Sequence, residues 1–300
     1  MTRPSRVIDV HQHVFWHGRD DAELVANLDE HGIDKAVLLN WDVTALEHAC
    51  AYEGVFNPVH VTPGQKHPGI PFADGVRAAR RFPERFLLGY CPHPLDPWAV
   101  EHLDAAVRMY GVRLCGEWKA TVPFDDPRCL NLFRWCGGQG LPVLFHIDVP
   151  YRPDGKTGEP VYQKEWYGGS IDNVERALAA CPQTIFLAHG PGFWRYISGD
   201  ADRAAEGYPS GPVAPGGAIG RLLDTYANFH CDLSAGSGRN ALARDVDHAR
   251  TFIGKYHQRF LFGRDTCDGR LHETLQSLDL PADAAENIYH RNAEKLLRIG

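Results

Sequence analysis

Eight cysteines are scattered through the 300-residue chain, and no two of them form a C-x-x-C pair. Cys50, Cys91, Cys115, Cys129, Cys136, Cys181, Cys231 and Cys267 are evenly spread, and several sit inside apolar runs such as Val112-Arg113-Leu114-Cys115. That distribution argues against a disulfide framework and against a thiolate zinc site, and for buried, reduced thiols. There is no block of Lys or Arg and no basic stripe, and the formal net charge is −7, so nucleic acid is not an expected partner. The acidic balance leaves a charged small molecule open, because the field inside a cleft can oppose net charge. Met1 to Arg6 is polar and runs straight into a strand-like segment, with no apolar stretch long enough for a signal peptide or a membrane helix. The expectation is a cytoplasmic protein without a membrane partner. Internal repeats, low-complexity segments and linkers are also missing, which predicts one domain over residues 1–300.

What the chain does have is a 44% hydrophobic fraction, cut into short apolar runs that alternate with amphipathic segments. Strands are expected at Val7–His13, Lys35–Asn40, Phe86–Cys91, Val112–Glu117, Pro142–Ile147, Thr184–Ala188, Phe229–Leu233 and Phe260–Gly263. Helices are expected at Asp21–His31, Asp74–Pro83, Pro97–Tyr110, Pro127–Gln139 (Asp126 as N-cap), Ile171–Ala180, Gly217–Tyr226, Ala241–His257, Leu271–Leu278 and Ala282–Leu297. Trp41 to Phe72 reads as a long loop, with one turn of helix within Ala45 to Tyr52. Eight strands alternating with helices predict parallel βαβ units closed into a (β/α)8 TIM barrel, an α/β fold; the competing architecture is an open doubly wound sheet.

A barrel of this kind builds its active site at the C-terminal ends of its strands. Five of the strands here end on metal-binding residue types: His11 and His13, Glu117, His146, His189 and Asp265. His11 and His13 lie two apart, on one face of a strand, where an imidazole pair can chelate one ion. Imidazole and carboxylate together suit a divalent metal, Zn2+ first, with Mn2+ or Fe2+ as alternatives. Such an ion lowers the pKa of water towards ~7, and Asp265 is placed to orient that water and take its proton. Each residue alone has a plainer reading. With 16 His in the chain, a lone H-x-H or His is more often a hydrogen-bonded histidine, and Asp265 alone would serve as a turn or cap. The set, distributed over the strand ends, points to metal.

The stretches Val7-Ile8-Asp9-Val10-His11-Gln12-His13, Pro142-Val143-Leu144-Phe145-His146, Leu187-Ala188-His189, Leu261-Phe262-Gly263-Arg264-Asp265 and Ile288-Tyr289-His290-Arg291-Asn292-Ala293-Glu294-Lys295-Leu296-Leu297 together resemble the amidohydrolase superfamily. The likeness is greatest to the amidohydrolase-related branch that includes aminocarboxymuconate-semialdehyde decarboxylase and resorcylate decarboxylases. The resemblance implies a distorted TIM barrel with His11, His13, His146 and Asp265 as metal ligands and His189 as a catalytic or supporting group. Glu117 departs from that mononuclear pattern. By resemblance to the TatD-like hydrolases of the same superfamily it would bridge two ions, with His146 and His189 on the second. The alternatives are that it ligates a single ion, or that it only pairs with Lys119 or a nearby Arg.

Three long connections, Trp41–Phe72, Val149–Ser170 and Pro191–Gly216, are expected on the catalytic side. Their aromatic and cationic residues, Tyr151, Arg152, Trp166, Trp194 and Arg195 among them, suit a planar or carboxylated small molecule, or else only pack the loops onto the barrel. Lys119, two past Glu117, is expected to face the same bowl. Arg264, next to Asp265, is expected to face away. Three functions compete: hydrolysis of a small-molecule substrate by metal-activated water, non-oxidative decarboxylation of an aromatic or enol acid, and a non-catalytic metal-binding barrel. One or two ions and a homo-oligomer both remain open.

Overall fold

The alternation of apolar runs with amphipathic segments resolves, in a computed structural model describing residues 4–44, 47, 52, 54–61 and 67–299, into eight parallel barrel strands. These are β1 (Ile8–Gln12), β2 (Lys35–Leu38), β3 (Phe86–Leu88), β4 (Cys115–Trp118), β5 (Val143–His146), β6 (Phe186–His189), β7 (Phe229–Asp232) and β8 (Phe260–Leu261). β1, β2 and β3 form one parallel ladder, and β4 to β8 a second. Contacts at both seams join them. A parallel bridge between Gly89 and Leu114 links β3 to β4, and the Val10 N–H donates to the Phe262 carbonyl at 3.0 Å, linking β1 to the end of β8. The sheet therefore closes, and the open doubly wound alternative is discarded.

Helices cover the outside: α1 (Asp21–Glu30), α2 (Phe72–Arg81), α3 (Ala99–Tyr110), α4 (Pro127–Gln139), α5 (Ile171–Ala180), the short α6 (Pro191–Trp194), α7 (Ala218–Thr225), α8 (Ala235–Ala243), α9 (Val246–Tyr256), α10 (Arg270–Ser277), α11 (Ala282–Glu286) and α12 (Asn292–Leu297). Their boundaries follow local chemistry. Asp20 and Glu23 form a capping box at α1, and the Asp126 carboxylate accepts the Arg128 N–H at the start of α4. Strand parity divides the core. Ala36, Leu38, Phe86, Phe145, Phe186 and Phe260 point outward against helices, while Val37, Leu114, Leu144, Leu187 and Leu261 fill the barrel interior. Each of these Val, Leu and Phe side chains, when fully buried, contributes about 1.5–3 kcal/mol.

Two helix expectations are corrected. The single helix read at Ala241–His257 is two. Asp245 is extended (φ −150°, ψ 91°), and its carboxylate accepts the N–H of His248 and of Val213, so it caps α9 and ends α8. α8 also begins six residues earlier than expected, at Ala235, in a Gly- and Ser-rich stretch that reads as loop. The helix read at Ala282–Leu297 is interrupted by a π turn over Asn287–Arg291. Among the long loops, Trp41–Asp42 pairs antiparallel with Gly69–Ile70, and Tyr151–Pro153 with Pro160–Tyr162. The turn expected within Ala45 to Tyr52 lies outside the described residues except for Glu47 and Tyr52, and Cys50 lies outside them too. The seven described cysteines carry free thiols, and all but Cys267 are buried. Among the described residues no helix is long and apolar enough to cross a membrane.

Two register slips aim the functional side chains. In β1, Asp9 pairs with Ala36 but Gln12 pairs with Leu38, so three steps on one strand match two on the other. In β4, Cys115 pairs with Val143 and Trp118 with Phe145, the same mismatch. These are β-bulges, which insert one residue and turn the side chains that follow. Ile8 and Val10 therefore stay in the barrel interior with Leu114, and His11 and Glu117, an odd number of residues further on, also face inward.

Candidate metal centre

All six residues expected as metal ligands converge at the C-terminal end of the barrel. The Nε2 atoms of His11 and His13 are 3.3 Å apart. Asp265 Oδ1 lies 3.7 Å from His11 Nε2 and 3.5 Å from His13 Nε2, and its Oδ2 lies 3.7 Å from His189 Nε2. Glu117 sits between two pairs of histidines. Its Oε2 is 3.9 Å from His11 Nε2 and 3.6 Å from His13 Nε2; its Oε1 is 3.1 Å from His146 Nδ1 and 4.0 Å from His189 Nε2. Two groups with ligand spacing result, His11–Glu117–His189 and His11–His13–Asp265, sharing His11.

Neighbouring groups fix these side chains. The His13 Nδ1–H donates to the Leu39 carbonyl at 3.0 Å, leaving Nε2 as the free lone pair. His11 Nδ1 lies 2.7 Å from Asp232 Oδ2. The Ser234 hydroxyl donates to that same oxygen at 2.6 Å and lies 2.8 Å from His189 Nδ1. Asp232 thus orients His11 directly and His189 through Ser234. Asp9 ties β1 to the end of β8, accepting the N–H and Nε–H of Arg264 at 2.9 and 2.7 Å and the His11 N–H at 3.2 Å. Arg264 accordingly faces away from the bowl. Asp265 adopts a left-handed backbone (φ 50°), uncommon for a residue with a Cβ, and is held there by its N–H to the His11 carbonyl at 2.9 Å. Gly263 is required by close approach: a Cβ there would lie 2.4 Å from Asp232 Oδ1.

The electrostatics are those of ligands crowded together without their counter-charge. Burial and the neighbouring His11 charge push His13 down to about 3. Burial, joined by His11 and His146, holds His189 well below its usual range. Burial opposes the charged form of His11 too, yet the carboxylates of Asp265, Asp232 and Glu117 outweigh it and hold this imidazole up at about 10. Burial raises Asp265. Burial works the same way on Glu117, but Lys119, His146 and His11 reverse it and hold that carboxyl down. His146 Nε2, His189 Nε2 and Asp265 Oδ1 are buried without any hydrogen-bond partner. Orphaned buried acceptors are costly, and a divalent cation is the group that imidazole and carboxylate lone pairs in this number would satisfy. The residues fit a metal.

Around the bowl, Lys119 is 6% exposed, with its ammonium 3.9, 4.1 and 5.2 Å from the ring centres of Trp41, Tyr52 and Tyr167. Burial disfavours its charge, but Tyr52, Glu117 and Asp265 hold the ammonium charged. Tyr151 is exposed on the rim hairpin; Arg152 donates to Asp148 at 2.6 Å; the Trp166 indole N–H donates to the Tyr162 hydroxyl at 3.1 Å. Trp194 and Arg195 differ from the expectation of substrate contact. The Trp194 indole is buried and donates to the Asp232 carbonyl, and the buried Arg195 guanidinium is spent on the carbonyls of Ala201 and Ala204, so both pack the loop. Asp232 and Ser234 were not anticipated. Asp232 is itself at a strand end, and the rule applied to the other strands would have found it.

A closed (β/α)8 barrel with a histidine–carboxylate bowl at its C-terminal end is the class the geometry defines. No family model and no curated protein sequence matches the chain. Solved structures do. The 5-carboxyvanillate decarboxylase LigW of Sphingomonas paucimobilis superposes with a TM-score of 0.59 at 15% identity, over 98% of this chain and 99% of its own. A dihydroxybenzoic acid decarboxylase from Polaromonas, with bound manganese and the inhibitor 2-nitroresorcinol, gives 0.59 at 16%, over 98% and 97%. A structural-genomics target from Pseudomonas putida, assigned as a 2-pyrone-4,6-dicarboxylic acid hydrolase, gives 0.59 at 16%, over 98% of both chains. At these identities the likeness is one of fold.

Proposed function

We propose that the chain is a divalent-metal-dependent enzyme of the amidohydrolase superfamily and that it hydrolyses a small, carboxylated substrate. The observation that carries this reading is the split of the Glu117 carboxylate, one oxygen turned to His11 and His13 and the other to His146 and His189. A carboxylate so placed would be able to serve two ions, one on each side. His11, His13, Glu117, His146, His189 and Asp265 would hold the metal, which would polarise the scissile carbonyl and lower the pKa of water towards ~7. Asp265, whose Oδ1 is buried without a hydrogen-bond partner, would receive the proton of the attacking water and pass it to the leaving group. Lys119 holds a substrate carboxylate against its aromatic surround.

A second reading is favoured by that same lysine: a buried cation beside the bowl also suits an aromatic acid, to whose ring Asp265 returns a proton as carbon dioxide leaves. The manganese and ring-shaped inhibitor of the Polaromonas decarboxylase support including Mn2+ beside Zn2+ in any reconstitution. The test is metal content by elemental analysis after both ions have been offered, on the native chain and on Glu117→Ala. Two ions falling to one supports hydrolysis through a shared carboxylate. One ion in both proteins transfers the proposal to decarboxylation, and no ion in the native chain refutes both.

A further inference from the structure

The end of the barrel opposite the bowl has its own polar feature. Seven strands contribute aliphatic side chains to the interior layer there: Ile8 and Val10, Val37, Leu87, Leu114, Leu144, Leu187 and Leu261. β7 contributes none. At its position, paired in register with Leu187, stands His230, which is 8% exposed and whose Nδ1 has no hydrogen-bond partner. A leucine would complete the layer without burying a polar atom, so packing does not account for the imidazole.

His230 lines a cavity of about 450 Å3 together with Arg259, Arg291 and Lys295, and no Asp or Glu is among the described residues that line it. In a chain of net charge −7, three cations around one concavity form a local field opposed to the whole. The Arg259 guanidinium is fixed at the rim by the carbonyls of Ala227 and Phe229. Arg291 makes only a loose approach to Glu286, at 3.8 Å. Lys295 forms no ion pair with a described residue.

We propose that this cavity is a binding site for a small oxyanion of the phosphate class, distinct from the metal bowl and independent of the reaction assigned there. Guanidinium and ammonium groups supply charge-assisted donors to phosphate oxygens, and the His230 imidazole forms part of the wall behind them. The volume exceeds that of a free phosphate and leaves room for an attached small organic group.

The experiment follows binding of inorganic phosphate to the metal-loaded protein by calorimetry and thermal shift, at constant ionic strength against chloride. Phosphate should raise the melting temperature beyond chloride, and Lys295→Glu should weaken binding by at least about tenfold, the size of one lost charge-assisted contact. Lys295→Gln, a milder change, should weaken it less, with the fold checked by circular dichroism. His230→Leu should melt no lower than the native protein without phosphate, because leucine completes the layer, and should leave a phosphate response, because the three cations remain. Repeating the titration with ribose 5-phosphate separates the sources: tighter binding assigns the site to a phosphate ester, equal binding to free phosphate. No response beyond chloride overturns the proposal. So does an unchanged response in Lys295→Glu, which would put the phosphate in the bowl.

Discussion

Replacing Asp232 by Asn is the sharpest probe of how the bowl is held together. The side chain is fully buried, and its carboxylate faces three donors: the Ser234 N–H at 3.0 Å, the Ser234 hydroxyl at 2.6 Å and His11 Nδ1 at 2.7 Å. Asparagine keeps the shape but has one acceptor oxygen, so its amide N–H2 must turn either to Ser234 or to the imidazole. Turned to His11, it forces Nδ1 to accept and puts the proton on Nε2, the atom aimed into the bowl. Partners outside the ligands typically carry ten- to a hundredfold in metal affinity, about 1.4–2.7 kcal/mol. Asp232 orients His11 directly and His189 through Ser234, so the upper half of that range is expected. Ser234→Ala removes the hydroxyl that joins Asp232 to His189, and with it a 3.2 Å approach to His11 Nδ1, but leaves the 2.7 Å contact between Asp232 and His11, so its loss should stay below about tenfold. The assay is competition against a chelating dye with metal-free protein at fixed pH, with melting temperature as the control for folding. Affinity of Asp232→Asn within about twofold of native would refute the argument. So would a larger loss in Ser234→Ala than in Asp232→Asn.

Three further outcomes are expected. The carboxylates of Asp265, Asp232 and Glu117 hold His11 up at about 10 against its burial; it is protonated at neutral pH and must release that proton to bind metal. Apparent affinity should therefore climb about tenfold per pH unit from 7 to 9, with matching proton release in calorimetry in different buffers, and a flat profile contradicts this. Phe124 is fully buried, with ring centres of Phe145, Phe133 and Trp118 at 4.2, 4.6 and 4.8 Å; Phe124→Ala should cost about 3–5 kcal/mol in urea unfolding, and a cost below about 1 kcal/mol would mean the site is not packed as described. Hydrogen bonds from His290 and Ser5 hold Glu286 down to about 2. Its contribution is present above the ordinary carboxyl range and lost as pH falls through about 2, so Glu286→Gln should melt lower than native at pH 6 and equal to it near pH 2.

How far the site was legible follows from what kind of fact each part is. Ligand type and strand end are properties of sequence, and His11, His13, Glu117, His146, His189 and Asp265 came together as those two properties require. Burial of a loop residue is a property of the folded chain. Trp194 and Arg195 carry the same side chains that would bind a planar acid, and nothing local distinguishes an arginine facing substrate from one that donates to the Ala201 and Ala204 carbonyls. The break between α8 and α9 was hidden for a related reason. Asp245 acts as a cap because its carboxylate reaches His248 and Val213 at once, and the second of these partners lies in a distant loop.

The bulges, by contrast, were written in the parity of the sequence. In a straight strand Ile8 and Val10 lie on the face opposite His11 and His13, so a barrel that buries the first pair in its interior would turn the second pair outward against the helices. Leu114 and Glu117, three residues apart, carry the same conflict. Both cannot face inward unless one residue is inserted between them, and the register slips in both places: between Asp9 and Gln12, and between Cys115 and Trp118. An apolar pattern of period two that reverses parity just before a run of metal-binding side chains is therefore a signal for a bulge. Here it marks the level at which the barrel changes from aliphatic packing to the bowl. Glu117 could not reach between the two pairs of histidines without it.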